Sequence, residues 1–326
     1  MQITRFRSKR CHCTIEGIEM NILKLSTTLV FLFLLGLPGI IKAQFYTIKP
    51  ANDGIPGIDF KTDFIKQKKI KKICLSFFVK PGRSRIERKN QNTEYNIDSL
   101  GRISSQASNE ELIKIGLDST TTWFVYDSLN QVKIKRIKDS NGYNAYYYTR
   151  DSAGMLTKQV YCKESNISEN KNIFKLGKQE VLSLETIEYI TLSNRQTKKI
   201  FYNDLGKKYK EAILYYDSLG RNTEENAHYT ATSINVNYKY KYDDSSRIVE
   251  KLYYSDATGD YTEKLQYVYG EKGNIKEEIF YRNDVLVYNK FYFYNTQNNL
   301  PESELIKHAA SQETFEISKF EYEYYQ

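Results

Sequence analysis

The sequence carries none of the short motifs that announce catalysis: no G-x-S-x-G, no H-E-x-x-H and no phosphate-binding glycine loop. Cysteine and histidine are scarce, with 4 and 3 among 326 residues. Once the leader described below is set aside, only Cys74 and Cys162 remain, and His228 and His308 stand far apart. Neither a metal-ligand cluster nor a Cys/His nucleophile pair is expected from such a set. Acid pairs such as Glu224-Glu225 and Glu277-Glu278 alternate across a strand and point to opposite faces, unlike paired carboxylates serving one bond. The expectation is no enzyme, no cofactor and no metal. In an oxidising compartment the two cysteines leave two readings open, a single Cys74–Cys162 disulfide or two separately buried thiols.

Long apolar runs are missing too, apart from one. Met20 opens a short polar stretch with Lys24, followed by the apolar run from Leu29 to Ile41 and then Lys42, Ala43 and Gln44. That pattern is a secretory signal peptide over residues 20–43; the run is too short, and too interrupted by Pro38, for a spanning helix of about 20 residues. Residues 1–19 then form an upstream extension from a misassigned start, taking Cys11, His12 and Cys13 with them. Net charge falls accordingly. The whole chain is +8, and the first 43 residues hold 6 cations and 2 acids, so +4 remains. A nucleic-acid binder would sustain a basic face over many residues; here the lone run, Lys66 to Lys72, reads as a solvated sheet edge. A membrane barrel is excluded on similar grounds, because strands such as Thr262-Glu263-Lys264-Leu265-Gln266 carry charge on both faces and the mean hydropathy is −0.62. No stable membrane insertion is expected after signal cleavage.

What the chain does have is a recurring phrase. An aromatic residue precedes a turn-former, then two residues, then Gly or a substitute, a polar residue and usually an aliphatic one: YDSLNQV from Tyr126, YDSLGRN from Tyr216, YDDSSRI from Tyr242, YGEKGNI from Tyr269 and YNTQNNL from Tyr294. Steps of 26, 27 and 25 residues between the last four tyrosines equal two strands plus two tight turns. Asp suits the opening position of a type I turn, and Gly the left-handed position that follows. The turn positions are Asp98 and Gly101, Asp127 and Asn130, Asp151 and Gly154, Asn203 and Gly206, Asp217 with Gly220 and Arg221, Asp243 with Ser246 and Arg247, Gly270 and Gly273, and Asn295 and Asn298. Ser246 fits the left-handed position least well. The residues one step outward should face each other across each hairpin, Tyr126 with Val132, Tyr216 with Asn222, Tyr242 with Ile248, Tyr269 with Ile275 and Tyr294 with Leu300. The copy at Asn203 comes only 14 residues before the next, half a repeat.

These hairpins would form an antiparallel all-β meander over residues 67–326, one long curled sheet without a closed shell, after an irregular lead-in at residues 44–66. The chain's 29 tyrosines fall largely at alternate strand positions, so pairs such as Tyr240 with Tyr242 and Tyr267 with Tyr269 line one inward face, with Lys241, Val268, Phe293 and Glu323 on the other.

The segments YKYDDSSRIVEKLYYSDATGDY and YVYGEKGNIKEEIFYRNDV resemble YD repeats of the Rhs type, found in exported bacterial proteins, and the resemblance runs from Tyr95 to Gln326. It implies a curling sheet of hairpins, a place at the cell surface or outside, and in some members carbohydrate binding. Large members wind the sheet into a shell around a C-terminal toxin; this chain has few repeats and ends on a strand at Phe320 to Tyr325, so neither shell nor toxin is expected. The functional expectation is a secreted, periplasmic or cell-surface protein whose sheet binds a glycan or another cell-envelope component. The alternative is a protein-interaction or structural element, a remnant of a larger Rhs-like protein working through exposed sheet edges.

Overall fold

The computed structural model describes residues 44–50, 60–112, 116–139, 142–170, 174–257, 259, 261–311 and 313–326. The signal peptide at residues 20–43 and the extension at residues 1–19 lie outside the described residues. A short helix, α1 (Thr62–Gln67), precedes strands β1 (Ile70–Pro81), β2 (Glu87–Ile97), β3 (Ile103–Leu112), β4 (Gly116–Tyr126), β5 (Val132–Asp139), β6 (Gly142–Arg150), β7 (Leu156–Asn166), β8 (Leu176–Ser193) and β9 (Gln196–Tyr202). The second half continues with β10 (Lys208–Tyr216), β11 (Asn222–Tyr229), β12 (Ile234–Tyr242), β13 (Ile248–Ser255), β14 (Tyr261–Tyr269), β15 (Ile275–Arg282), β16 (Val285–Tyr294), β17 (Pro301–His308) and β18 (Thr314–Tyr324). Each strand pairs antiparallel with its sequence neighbours, and β1 also pairs with β18 from Ile70 opposite Tyr324 to Pro81 opposite Thr314. The sheet is therefore a closed barrel of 18 strands.

Closure corrects the expectation of an open sheet, and the residues at the seam explain it. The lysine run was read as a solvated edge, yet Lys72 lies within β1, flanked on both sides. Its ammonium sits 2.9 Å from Glu94 on β2 and 3.8 Å from Glu323 on β18. Opposite charges on both neighbours favour the pairing that like-charged edges would discourage. Further along the rim, the Tyr325 hydroxyl donates to the Ile97 carbonyl at 2.5 Å, bridging the two ends of the chain's strand order.

Most turns of the repeated phrase share one rim, because every second connection returns there. The Asp217 carboxylate accepts the backbone N–H groups of Leu219 and Arg221, both at 2.9 Å, and Gly220 adopts φ +74°. Arg221 then folds back on Asp217, Nε to Oδ2 at 2.7 Å, and lays its guanidinium 4.5 Å from the ring centre of Tyr242 in the next hairpin. The Tyr242 hydroxyl donates to the Asn222 carbonyl at 2.6 Å. The same clasp joins Asp98 and Arg102 to Tyr126, and Asp243 and Arg247 to Tyr269. A repeated phrase thus encodes a contact between hairpins as well as a turn within one. Asn130 and Ser246 take the left-handed position at φ +61° and +60°. The turn at Asn203 and Gly206 lies on the opposite rim, which accounts for its half-length step. One position differs from expectation. The turn after β16 is a residue longer, so Tyr294 faces Pro301 rather than Leu300, and Asn299 at φ +64°, not Asn298, is left-handed.

The lead-in enters the barrel at the phrase-bearing rim. Phe45 and Ile65 are fully buried with Phe64, Ile70, Ile73, Tyr95, Ile97, Leu300 and Phe320, while Tyr46 and Ile48 also pack against Tyr240, Ile248, Tyr267 and Ile275 on the wall formed by β12 to β15. Residues 62–66, read as part of the irregular lead-in, belong to helix α1, which presses its apolar Phe64-Ile65 pair inward. The inward tyrosines thus line the barrel's interior, and the outward face carries Lys241, Val268 and Phe293.

Gly101 shows how tightly lead-in and rim fit. A Cβ there would lie 2.4 Å from the Thr62 carbonyl oxygen and 2.8 Å from Lys66 N, and its φ is +82°. Replacement by alanine is expected to cost about 2–4 kcal/mol, combining left-handed strain with overpacking. The same change at Gly220, with φ +74° but open space around it, should cost only about 1 kcal/mol. Urea unfolding of the two variants checks this, and equal losses would mean that the lead-in does not bear on the rim.

One strand is paired unevenly. The 18-residue β8 meets β7 from Leu176 to Thr186, but meets β9 only from Thr186 to Ser193. Its first 10 residues, Leu176 to Glu185, have ladder partners on one side only among the described residues.

Candidate functional site

The outer wall is dented where the inner side chains are small. Ala212, Ala227, Val236 and Ser255 stand in register on β10 to β13 and are all buried. With so little volume inside, the sheet lies deep, and its outward neighbours frame a groove of about 590 Å³. That size falls within the usual range for a binding site, roughly 300–1,000 Å³. Ile213, Leu252 and Tyr254 supply apolar walls; Asn226, Asn235, Asn237, His228, Glu211, Lys239 and Thr262 supply polar ones. A smaller hollow of about 270 Å³ over β2 and β3, lined by Arg88, Lys89, Asn90, Gln91, Asn92 and Asn109, has no such apolar wall.

Polar groups in the groove are held in fixed orientations. Asp256 accepts the backbone N–H of Asn235 at 2.7 Å and its side-chain Nδ2 at 2.8 Å. These bonds, the side-chain one first, hold the Asp256 carboxyl below its usual range. Because the Asn235 amide NH₂ is committed to Asp256, its Oδ1 is left as an acceptor for His228 Nδ1, 3.0 Å away. This assigns the proton of neutral His228 to Nδ1 and leaves Nε2 as an acceptor. On the neighbouring row Asn237 Nδ2 donates to Glu224 at 2.8 Å and contacts Asn226 Oδ1, while Glu224 lies 3.7 Å from Lys239. Glu211, at the groove's edge, accepts Lys198 and Lys208 at 3.0 and 3.1 Å; Lys198 leads in drawing its carboxyl downward. The arrangement offers fixed donors and acceptors beside apolar surface. Among the described residues no Ser, Cys or Lys is hydrogen-bonded to His228 in the manner of a nucleophile and base.

The sequence-derived candidates lie elsewhere. The turn residues ring the rims. Cys74 and Cys162 are free thiols on β1 and β7, on separate stretches of the wall, so the disulfide alternative is corrected in favour of two separate thiols. His308 lies 3.5 Å from Glu316 on β18, away from His228. Among the described residues no group of three or more His, Cys, Asp or Glu is arranged to hold a metal ion. The groove escaped sequence reading because its cause, four small residues in one row, becomes a row only once strand register is known.

No family model matches the chain, and no curated protein does. Among solved structures it is similar to a porin-like protein from Bacteroides uniformis, at 11% identity and TM-score 0.38, covering 78% of this chain and 98% of that one. A porin-like protein from Bacteroides vulgatus gives 10% identity, TM-score 0.32 and the same coverage. The TcdB2-TccC3 complex gives 13% identity and TM-score 0.28, over 69% of this chain and 12% of that one. Likenesses so slight carry no functional argument. They lend the YD-repeat and Rhs-repeat assignment no support, and the closed ring of 18 strands replaces the open repeat sheet it implied. The expectation of carbohydrate binding goes with it. It came from that resemblance, and the tyrosines of the repeat line the barrel's interior as expected of an inward face.

Proposed function

We propose that this chain is an exported, non-enzymatic binding protein that works in the periplasm, at the cell surface or outside the cell, and presents the outer groove across β10 to β14 to a protein of the cell envelope. The observation that carries this reading is the groove itself, apolar walls around amide and imidazole groups locked by Asp256 and Glu224. Preorganised polar groups beside apolar surface bind without ordering cost. The outer wall faces water: Lys72, Glu94, Lys239, Lys241 and Glu250 project from it, and a lysine on a lipid-facing barrel wall costs roughly 2–4 kcal/mol at mid-membrane. Closure removes most of the sheet edges on which the structural-remnant alternative rested.

The test uses residues 44–326 prepared without detergent and cross-linked to envelope fractions. A specific partner should be captured, and Asn237→Trp, which fills the groove, should lose it while Ser105→Trp, outward on β3, keeps it. Equal capture by both variants, or partition of the protein into detergent micelles, would overturn the reading.

A further inference from the structure

We infer that the one-sided stretch of β8 pairs with the same stretch of a second copy of this chain, forming a two-fold dimer through an antiparallel ladder centred on Gln179. Three observations converge on that occupant.

The first is the direction of the backbone. Lys178 donates its N–H to Ser165 Oγ on β7 at 2.7 Å, so the N–H of Gln179, next along the strand, points away from β7 toward the open side. Among the described residues this strand of 10 residues has one side free of ladder partners, which makes it a template for strand addition.

The second is self-complementarity. A two-fold axis at Gln179 sets residue 178 of one copy opposite residue 180 of the other. Lys178 then faces Glu180 of the second copy, and Glu180 faces its Lys178, so both ion pairs form at once. A two-fold interface must match its own surface in this way.

The third is space. With the axis at Gln179 the shared ladder covers Leu176 to Leu182 and stops short of Thr186, where Tyr202 of β9 takes up the pairing. An axis nearer β9 would drive the second copy into that strand.

Sedimentation or light scattering of residues 44–326 over a dilution series tests this. A reversible dimer is expected. Gln179→Pro removes the outward N–H while leaving the bond from Lys178 to β7, and should yield a monomer with an unchanged circular dichroism spectrum. Lys178→Glu places like charges opposite each other twice and should weaken the dimer on the order of tenfold. The double exchange Lys178→Glu with Glu180→Lys restores opposite charges and should restore the dimer. A monomer at every concentration, a dimer indifferent to Gln179→Pro, or a double exchange no better than Lys178→Glu alone would each overturn the inference. Groove-filling Asn237→Trp should leave the dimer intact, so failure of one proposal is distinguishable from failure of the other.

Discussion

Phe45→Ala should lower stability by about 3–5 kcal/mol, the usual cost of deleting a large ring from a packed core. Phe45 has no exposed surface, and its ring sits among five others: Tyr46 at 4.8 Å, Phe60 at 4.9 Å, Phe64 and Tyr322 at 6.3 Å and Phe320 at 6.5 Å between centres. These rings come from the lead-in, α1 and β18, so one substitution loosens the lead-in from the barrel wall. The backbone cannot compensate alone. Phe45 N donates to Asn274 Oδ1 at 3.2 Å, its carbonyl accepts from Lys61 N at 2.8 Å, and both bonds depend on the ring holding the segment in place. Domains are stable by only about 5–15 kcal/mol, so the loss is a large share of the total. Phe293→Ala is the control, since that ring is half exposed on the outer wall and should cost under about 1 kcal/mol. Urea midpoints give the comparison, and native-state proteolysis should cut the loosened lead-in first. Equal midpoints for the two variants would mean that the lead-in is a passenger.

The same segment shows what could be read from sequence and what could not. Turn chemistry is local: Asp217 accepts from residues two and four places on, and φ at Gly220 follows from the absence of a Cβ. The facing of Tyr126 with Val132, Tyr242 with Ile248 and Tyr269 with Ile275 follows from turn length alone. Closure depends on pairs such as Ile70 with Tyr324, and no local rule reaches across that separation. The one clue was misread. Lysines beside a strand look the same whether they guard an edge or meet acids on two flanking strands, and Lys72 does the second. Charge on both strand faces is also legible, and it bears on whether a barrel's wall meets lipid, not on whether the sheet closes. The groove and the one-sided β8 stretch both depend on register, which the turn after β16 shows can slip by a residue without any clear sign in the sequence.

Packing tyrosines into the interior makes the fold sensitive to alkali, and the sign follows from where the protons stay. Burial pushes the phenols of Tyr126, Tyr148, Tyr238 and Tyr269 up to about 12, and drives those of Tyr95, Tyr288, Tyr292, Tyr294 and Tyr322 upward as well. An unfolded tyrosine releases its proton near pH 10. Between pH 10 and 12 the folded chain therefore holds more protons than the unfolded one, and stability falls as pH rises. The contribution is fully present below pH 10 and is lost as pH climbs through the folded values. A rise of about 2 units is worth at most about 2.7 kcal/mol per group, less where solvent screens the ring. Even half that from each of the four tyrosines near 12 reaches about 5 kcal/mol, the lower end of a domain's whole stability. The barrel should consequently unfold in one cooperative step between pH 10 and 12, with phenolate absorbance and loss of the strand signal in circular dichroism rising together. The lowered carboxyl groups, Asp217 with its Arg221 backbone bond and Asp243 held down by Arg247 against its burial, release their stabilisation only in acid. Tyrosines that ionise smoothly around pH 10 while the strand signal persists would show that their rings are in water, and that the inward face is not the packed interior on which both the closed barrel and its dented wall depend.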